Sequence, residues 1–203
     1  MSTDVEICSM ALSRLGQGAI TSLADTDNVS VTCNVHFQQA VDWVLREREW
    51  KNAIKRAALA TPDGTPVFGW TENYNVPADC LRVLDVRANN LEDYTENNTR
   101  WNHEDGVINC EIDDGIKIKY IYRVAAASIE SHIVAVIALK LADMICITIT
   151  NSKKLKEGIS MEYKDVLRDA AALDGMQGKN RILRSNRLTK VRMQNQSLAT
   201  KYV

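Results

Sequence analysis

IESHIVAVIALKLADMICITIT, residues 129–150, is apolar over most of its circumference when drawn as a helix. On a 3.6-residue wheel only a narrow stripe is polar: His132, Lys140, Asp143 and Thr150. A helix apolar nearly all round is either buried by its neighbours or spans a bilayer. Lys140 and Asp143 fall near its middle, where an ionised side chain in lipid costs roughly 2.5–3.5 kcal/mol on insertion scales. The expectation is therefore the core helix of a soluble domain, with no membrane segment.

The stretches before and after supply partners for such a helix. Thr3-Asp4-Val5-Glu6 fits a capping box, and Val5, Cys8, Leu12 and Leu15 follow at helical spacing up to Gly16. A second helix is expected from near Asn28 past Glu49. Its apolar stripe is Val29, Cys33, Phe37, Ala40, Val41, Val44 and Leu45. Arg46-Glu47-Arg48-Glu49 reads as its solvated end, and Trp43 and Trp50, seven apart, as anchors on one face. After the apolar run, Asn151-Ser152 caps a further helix carrying Leu155, Ile159, Tyr163, Val166, Leu167 and Ala170, ended by Gly175 and Gly178.

Between residues 56 and 124 the texture changes. Pro62-Asp63-Gly64 is turn chemistry, and Phe68-Gly69-Trp70 with Tyr74 reads as an aromatic loop. Residues 81–86 read as a strand, and residues 89–98 as a polar loop. Residues 107–112 and 116–124 read as two strands joined in a hairpin at Asp113-Asp114-Gly115. In the second of these Ile116, Ile118, Tyr120 and Tyr122 share a face; Lys117, Lys119 and Arg123 share the other with Ile121.

The fold class expected is α+β: an antiparallel helical bundle with an inserted small antiparallel β domain and an extended C-terminal arm. Residues 1–55 and 125–175 make the body, 56–124 the β-rich insert and 176–203 the basic arm. Charge separates the parts. From Lys179 onward stand seven cations and no acid, leaving 18 cations against 26 acids in the remainder. An acidic body with a basic tail implies a separate partner for the tail. Arg181, Arg184, Arg187, Lys190 and Arg192 are its candidate contact residues. Three readings fit them: a protein-binding arm, a solvated tail, or an arm on nucleic-acid phosphates with almost no base-stacking platform. The five cysteines are scattered and never form C-x-x-C, so they read as core hydrophobes in a reducing compartment. No signal peptide is expected.

Catalytic patterns are weak. Gly16-Gln17-Gly18 lacks the third glycine, the preceding strand and the lysine of a phosphate loop. His103-Glu104 lacks the second histidine of a zinc helix, with His36 and His132 far off in sequence. Asp113-Asp114 precedes a glycine and reads as a turn rather than a carboxylate pair. No catalytic residue, cofactor or metal is expected, and the chain is read as a non-enzyme.

Four motifs carry a resemblance. They are Ala11-Leu12-Ser13-Arg14-Leu15-Gly16 with Ile20-Thr21-Ser22-Leu23 and Asp25; Leu45-Arg46-Glu47-Arg48-Glu49-Trp50-Lys51-Asn52-Ala53 with Arg56-Ala57-Ala58-Leu59; Tyr74-Asn75-Val76-Pro77-Ala78-Asp79-Cys80-Leu81-Arg82-Val83; and Ile118-Lys119-Tyr120-Ile121-Tyr122-Arg123-Val124 leading into the apolar helix. In this order, over residues 5–172, the chain resembles the tail tubular protein A family, the head-to-tail adaptors of short-tailed (podovirus) bacteriophages. Ala53 stands where the family usually has an aromatic, and the basic tail lies outside the match.

The resemblance implies a structural virion protein of the head–tail neck, assembled in the host bacterial cytoplasm. It implies a homo-oligomeric ring, expected to be a dodecamer, binding the portal protein and the tail nozzle protein, with tail fibres as a further partner. Duplex DNA would pass through its channel during ejection without specific binding. An acidic channel wall would repel phosphate; Glu92, Asp93, Glu96, Glu104, Asp105, Asp113 and Asp114 are the channel-facing candidates. The alternative is a nucleic-acid-binding protein that uses the basic C-terminal tail.

Overall fold

The structure, a computed structural model, describes residues 3–60, 62–89 and 99–178. Among these it is a mixed α/β fold of four helices and two small antiparallel sheets. The helices are α1 (Asp4–Arg14), α2 (Asn28–Glu47), α3 (Ser131–Thr150) and α4 (Lys153–Met176).

The apolar run forms α3, and α1, α2 and α4 all pack against it. Ten of its residues are buried, from Ile133 to Cys146, and each large aliphatic among them contributes about 1.5–3 kcal/mol relative to exposure. By length and composition it is also apolar enough to cross a bilayer. Lys140, in its polar stripe, instead lies 4.4 Å from the ring centre of Trp43 on α2 and 5.2 Å from that of Tyr163 on α4. Near the start of α3, His132 lies 6.1 Å from the Trp50 ring. Rising numbers in one segment thus meet falling numbers in the other, so α2 and α3 run antiparallel.

Local chemistry sets the helix ends. Thr3 and Glu6 form the capping box at α1. At its other end the Gln17 amide donates to the Leu12 carbonyl and the Gly16 amide to Ser13, with Gly16 at φ +70°. That is a Schellman closure, which needs the left-handed conformation at this position. Asn151 closes α3 at φ 51°, and the Ser152 hydroxyl accepts from the Leu155 amide to open α4. This two-residue connection returns α4 antiparallel along α3.

Several expectations change. In α1, Ile7 and Ala11 are buried along with Cys8 and Leu12, whereas Val5 is half-buried. The second helix stops at Glu47, and Arg48 is extended. Trp50 therefore lies off the helix, buried, donating its indole N–H to the Val44 carbonyl, while Trp43 is 53% exposed. The helical periodicity of the sequence continues past this break, which local charge does not mark. Gly175 does not stop α4, which runs to Met176. The buried Asp174 accepts from the Lys51 amide at 3.0 Å, while the Lys51 ammonium caps the last carbonyls of α4.

Among the described residues the β module has six strands: β1 (Ile54–Leu59), β2 (Glu72–Asn75), β3 (Cys80–Ala88), β4 (Trp101–Glu104), β5 (Val107–Cys110) and β6 (Ile116–Tyr122). One sheet has the order β1-β6-β3, the other β2-β5-β4. The expected hairpin at Asp113-Asp114-Gly115 does not form, because β5 and β6 belong to different sheets. The true hairpin joins β4 to β5 through Asp105 (φ 47°) and Gly106 (φ 77°). Positive φ at both positions is the type I′ geometry that an Asp-Gly pair favours. Asp114-Gly115 instead carries the chain from one sheet to the other. Tyr74 is not a loop residue: it sits in β2, fully buried between the sheets. Its hydroxyl donates to the Ile112 carbonyl and accepts from the Gly115 amide.

The faces of β6 divide as expected. Ile116, Ile118 and Tyr120 join the intersheet core with Tyr74, Val83, Val86, Ile108 and Cys110, whereas Ile121 joins the helical core. Reciprocal bonds fasten the module to the body: Arg46 Nε donates to the Leu81 carbonyl at 2.8 Å, and Arg82 Nη1 to the Arg46 carbonyl at 2.9 Å. Arg123 adds a two-pronged bond to Asp42 at 2.9 and 2.5 Å.

Candidate interaction surfaces

The acidic candidates separate in space. Glu104 and Asp105 stand at the β4–β5 hairpin, and Asp113 and Asp114 follow the opposite end of β5; all four are exposed. Glu104 accepts from the side-chain amides of Asn102 and Asn109. Asp113 and Glu72 lie near enough to Tyr74 to add to the burial that pushes its phenol up. Glu92, Asp93 and Glu96 lie outside the described residues, as do Arg181, Arg184, Arg187, Lys190 and Arg192.

His132 and Cys146 share α3 without meeting. His132 and Cys146 occupy opposite ends of α3, about 21 Å apart at 1.5 Å per residue. The Cys146 thiol lies against Thr150 Oγ1 and the Ser152 carbonyl, and His132 lies against Glu130 and Trp50. Burial pushes the Cys80 and Cys110 thiols up, away from the thiolate. Among the described residues no three His, Cys, Asp or Glu side chains converge as a metal site.

Two surface features do stand out. The first is the loop between β1 and β2. It is pinned at its base where the Asp63 amide donates to the Asn73 carbonyl and the Asn73 amide to the Gly64 carbonyl, at 2.8 and 3.0 Å. At its tip Val67 is 98% and Phe68 86% exposed, the two most exposed large apolar side chains among the described residues. Gly69 turns the chain back at φ +85°. Trp70 is half-buried, with the Arg100 guanidinium 5.8 Å from its ring centre. The loop overhangs Glu104 and Asn109 across a cleft of about 300 Å³. The result is an apolar tip on a braced base, the geometry of a binding anchor.

The second is an open groove of about 550 Å³ along α1, lined by Val5, Met10 and Ile20 with Glu6, Ser9 and Ser13. Met10 is 43% exposed there. Asp4 and Glu6 make the first turn of the same helix acidic.

A third cluster is internal bracing. Burial and the hydrogen bond it gives Glu47 push the Tyr163 phenol above the ordinary tyrosine range, so it stays a donor. Lys140 lies beside it, and the two aromatic contacts are worth about 0.5–2 kcal/mol each depending on desolvation. Lys140 was visible as a polar-stripe residue, but its partners lie on other helices with no local signal. The loop tip was legible only as aromatic texture; its exposure depends on which side of β2 the core occupies.

No family model matches this sequence, and no curated protein matches it.

Proposed function

We propose that this chain is the subunit of a head-to-tail adaptor ring in a short-tailed bacteriophage, a structural protein of the virion neck. The reading carries the finer architecture with it: an antiparallel bundle as the ring body, an inserted β module, and a basic arm. The observation that carries it is the two-part build, in which a helical body around α3 holds a module whose braced loop offers Val67 and Phe68 to solvent. Such a surface suits protein contact, and the ordered motifs over residues 5–172 point to the adaptor family. In this reading copies close a dodecameric ring below the portal, the nozzle docks beneath it, and DNA passes through without specific binding. Arginines of the arm meet carboxylates of a neighbouring copy or of the portal.

The test is imaging of purified particles with the chain labelled. A ring of it between portal and nozzle is expected; necks without it would end the reading. The rival reading, nucleic-acid binding through the seven tail cations, requires duplex affinity that falls steeply with salt. Flat duplex titrations at low salt would remove it.

A further inference from the structure

We infer that the cleft beneath the β1–β2 loop is a binding site for a neutral sugar, one pyranose ring lying on Phe68 and Trp70 and hydrogen-bonded to Glu104 and Asn109. The inference goes beyond the ring reading and does not need it, because the cleft belongs to one copy of the chain. Its floor follows from strand alternation. Tyr74, Ile108 and Cys110 face the intersheet core, so Asn73 and Asn109 project from the other side of their sheet. In register with Asn109 stand Asn73 on β2 and Asn102 on β4, which makes a row of three amides across the sheet. Glu104 accepts from Asn102 and, at 3.3 Å, from Asn109. A residue on the outer face of an open sheet is ordinarily wet, yet Asn109 is only 6% exposed. The loop roofs it.

A loop serving only as a cover would lay its apolar residues on that floor. Here Val67 and Phe68 stay in water, and about 300 Å³ is left open between Phe68, Trp70, Glu104 and Asn109. That is the low end of ligand pockets, about 300–1,000 Å³, and it suits a single ring. The lining is amphipathic in the way a pyranose is. Aromatic rings offer an apolar platform for its C–H face. A carboxylate and amides offer acceptors and donors to hydroxyls, each of which both donates and accepts. Asn73 Oδ1, next to the floor, is buried with no hydrogen-bond partner, an acceptor still to be used. Charge selects against other ligands. Among the described residues no cation lines the cleft, whereas Glu104 does; the Arg100 guanidinium beside Trp70 pairs with Glu111 at 3.3 Å. A phosphate or carboxylate would meet repulsion there. A cationic ligand is a poorer match too, because Arg100 already lies over the Trp70 ring.

The experiment is saturation-transfer NMR on the full chain with the methyl glycosides of glucose, galactose, mannose and N-acetylglucosamine, and with adenosine and choline as comparison ligands. Transfer to at least one glycoside is expected, with a dissociation constant on the order of 1 mM. Phe68→Ala, which trims a side chain already in water, is expected to weaken that binding at least about fivefold. Met161→Ala, a similar loss of exposed apolar surface on α4, is expected to leave it unchanged. Transfer to none of the glycosides overturns the assignment. So does equal affinity of native and Phe68→Ala protein, or transfer to adenosine or choline in place of the sugars.

Discussion

Gly115 is where the β module is least able to tolerate a side chain. Its φ is +74°, and a Cβ there would meet the backbone carbonyl oxygens of Leu59 at 3.0 Å and Ala60 at 3.2 Å. Neither oxygen belongs to a flexible side chain, so the strain cannot be relieved locally. Gly115→Ala is expected to cost about 1–3 kcal/mol, read as a shift in the urea midpoint at unchanged slope. The glycine was visible in the sequence, but it reads as the turn of a hairpin. Its actual task, passing the chain between two sheets beside the Tyr74 hydroxyl, depends on partners 41 or more residues away. Tyrosines and thiols set the alkaline limit. Burial pushes Tyr74, Tyr120 and Tyr163 above the ordinary value. Their folded pKa values exceed the unfolded value of about 10, so their contribution is complete below about pH 10 and is lost as pH rises through the folded values. With the Cys80 and Cys110 thiols, raised by burial, acting from about pH 8.5, stability measured by denaturant titration is expected to decline above about pH 8.5 and more steeply above about 10. An unchanged midpoint at pH 11 would contradict this.

At the scale of elements, the end of α2 is the instructive case. Arg46-Glu47-Arg48-Glu49 has the alternating charge of a solvated helix terminus, and its side chains are indeed exposed. Yet Arg46 bonds the β3 backbone, Glu47 accepts from Tyr163 and Glu49 pairs with Lys119 at 3.3 Å. The segment joins body to module. Arg46→Ala is expected to leave the intersheet core intact, since Tyr74 and its neighbours form a separate cluster. It should speed amide exchange at Leu81 and Val83 several-fold relative to Tyr120. Equal exchange in variant and parent would show that Arg82 and Arg123 suffice. The hairpin's position has a related reason. Two Asp-Gly pairs bracket β5, and each alone is an equally good turn signal; pairing of β5 with both β2 and β4 selects Asp105-Gly106.

For the molecule as a whole, the segment from Lys179 onward carries the largest charge asymmetry and lies outside the described residues. On the adaptor function proposed above, deleting residues 179–203 is expected to leave the melting midpoint of residues 3–178 unchanged while weakening attachment to portal-bearing heads at least tenfold. Undiminished attachment would remove the arm from the docking account. What could be read from the chain alone is what repeats locally: the central apolar helix, the stripes of α2 and α4, both caps of α1 and the two-faced character of β6. Each follows from a period or a cap that a few neighbouring residues complete. Folding in three dimensions supplied the rest: which strands share a sheet, where Trp50 and Asp174 find their partners, and which apolar side chains stay in water. Those outcomes depend on contacts between residues tens of positions apart, and short-range patterning is degenerate for them. Phe68 and Tyr74 look alike in sequence; one is 86% exposed and the other fully buried, because only the second lies on a strand that closes the intersheet core.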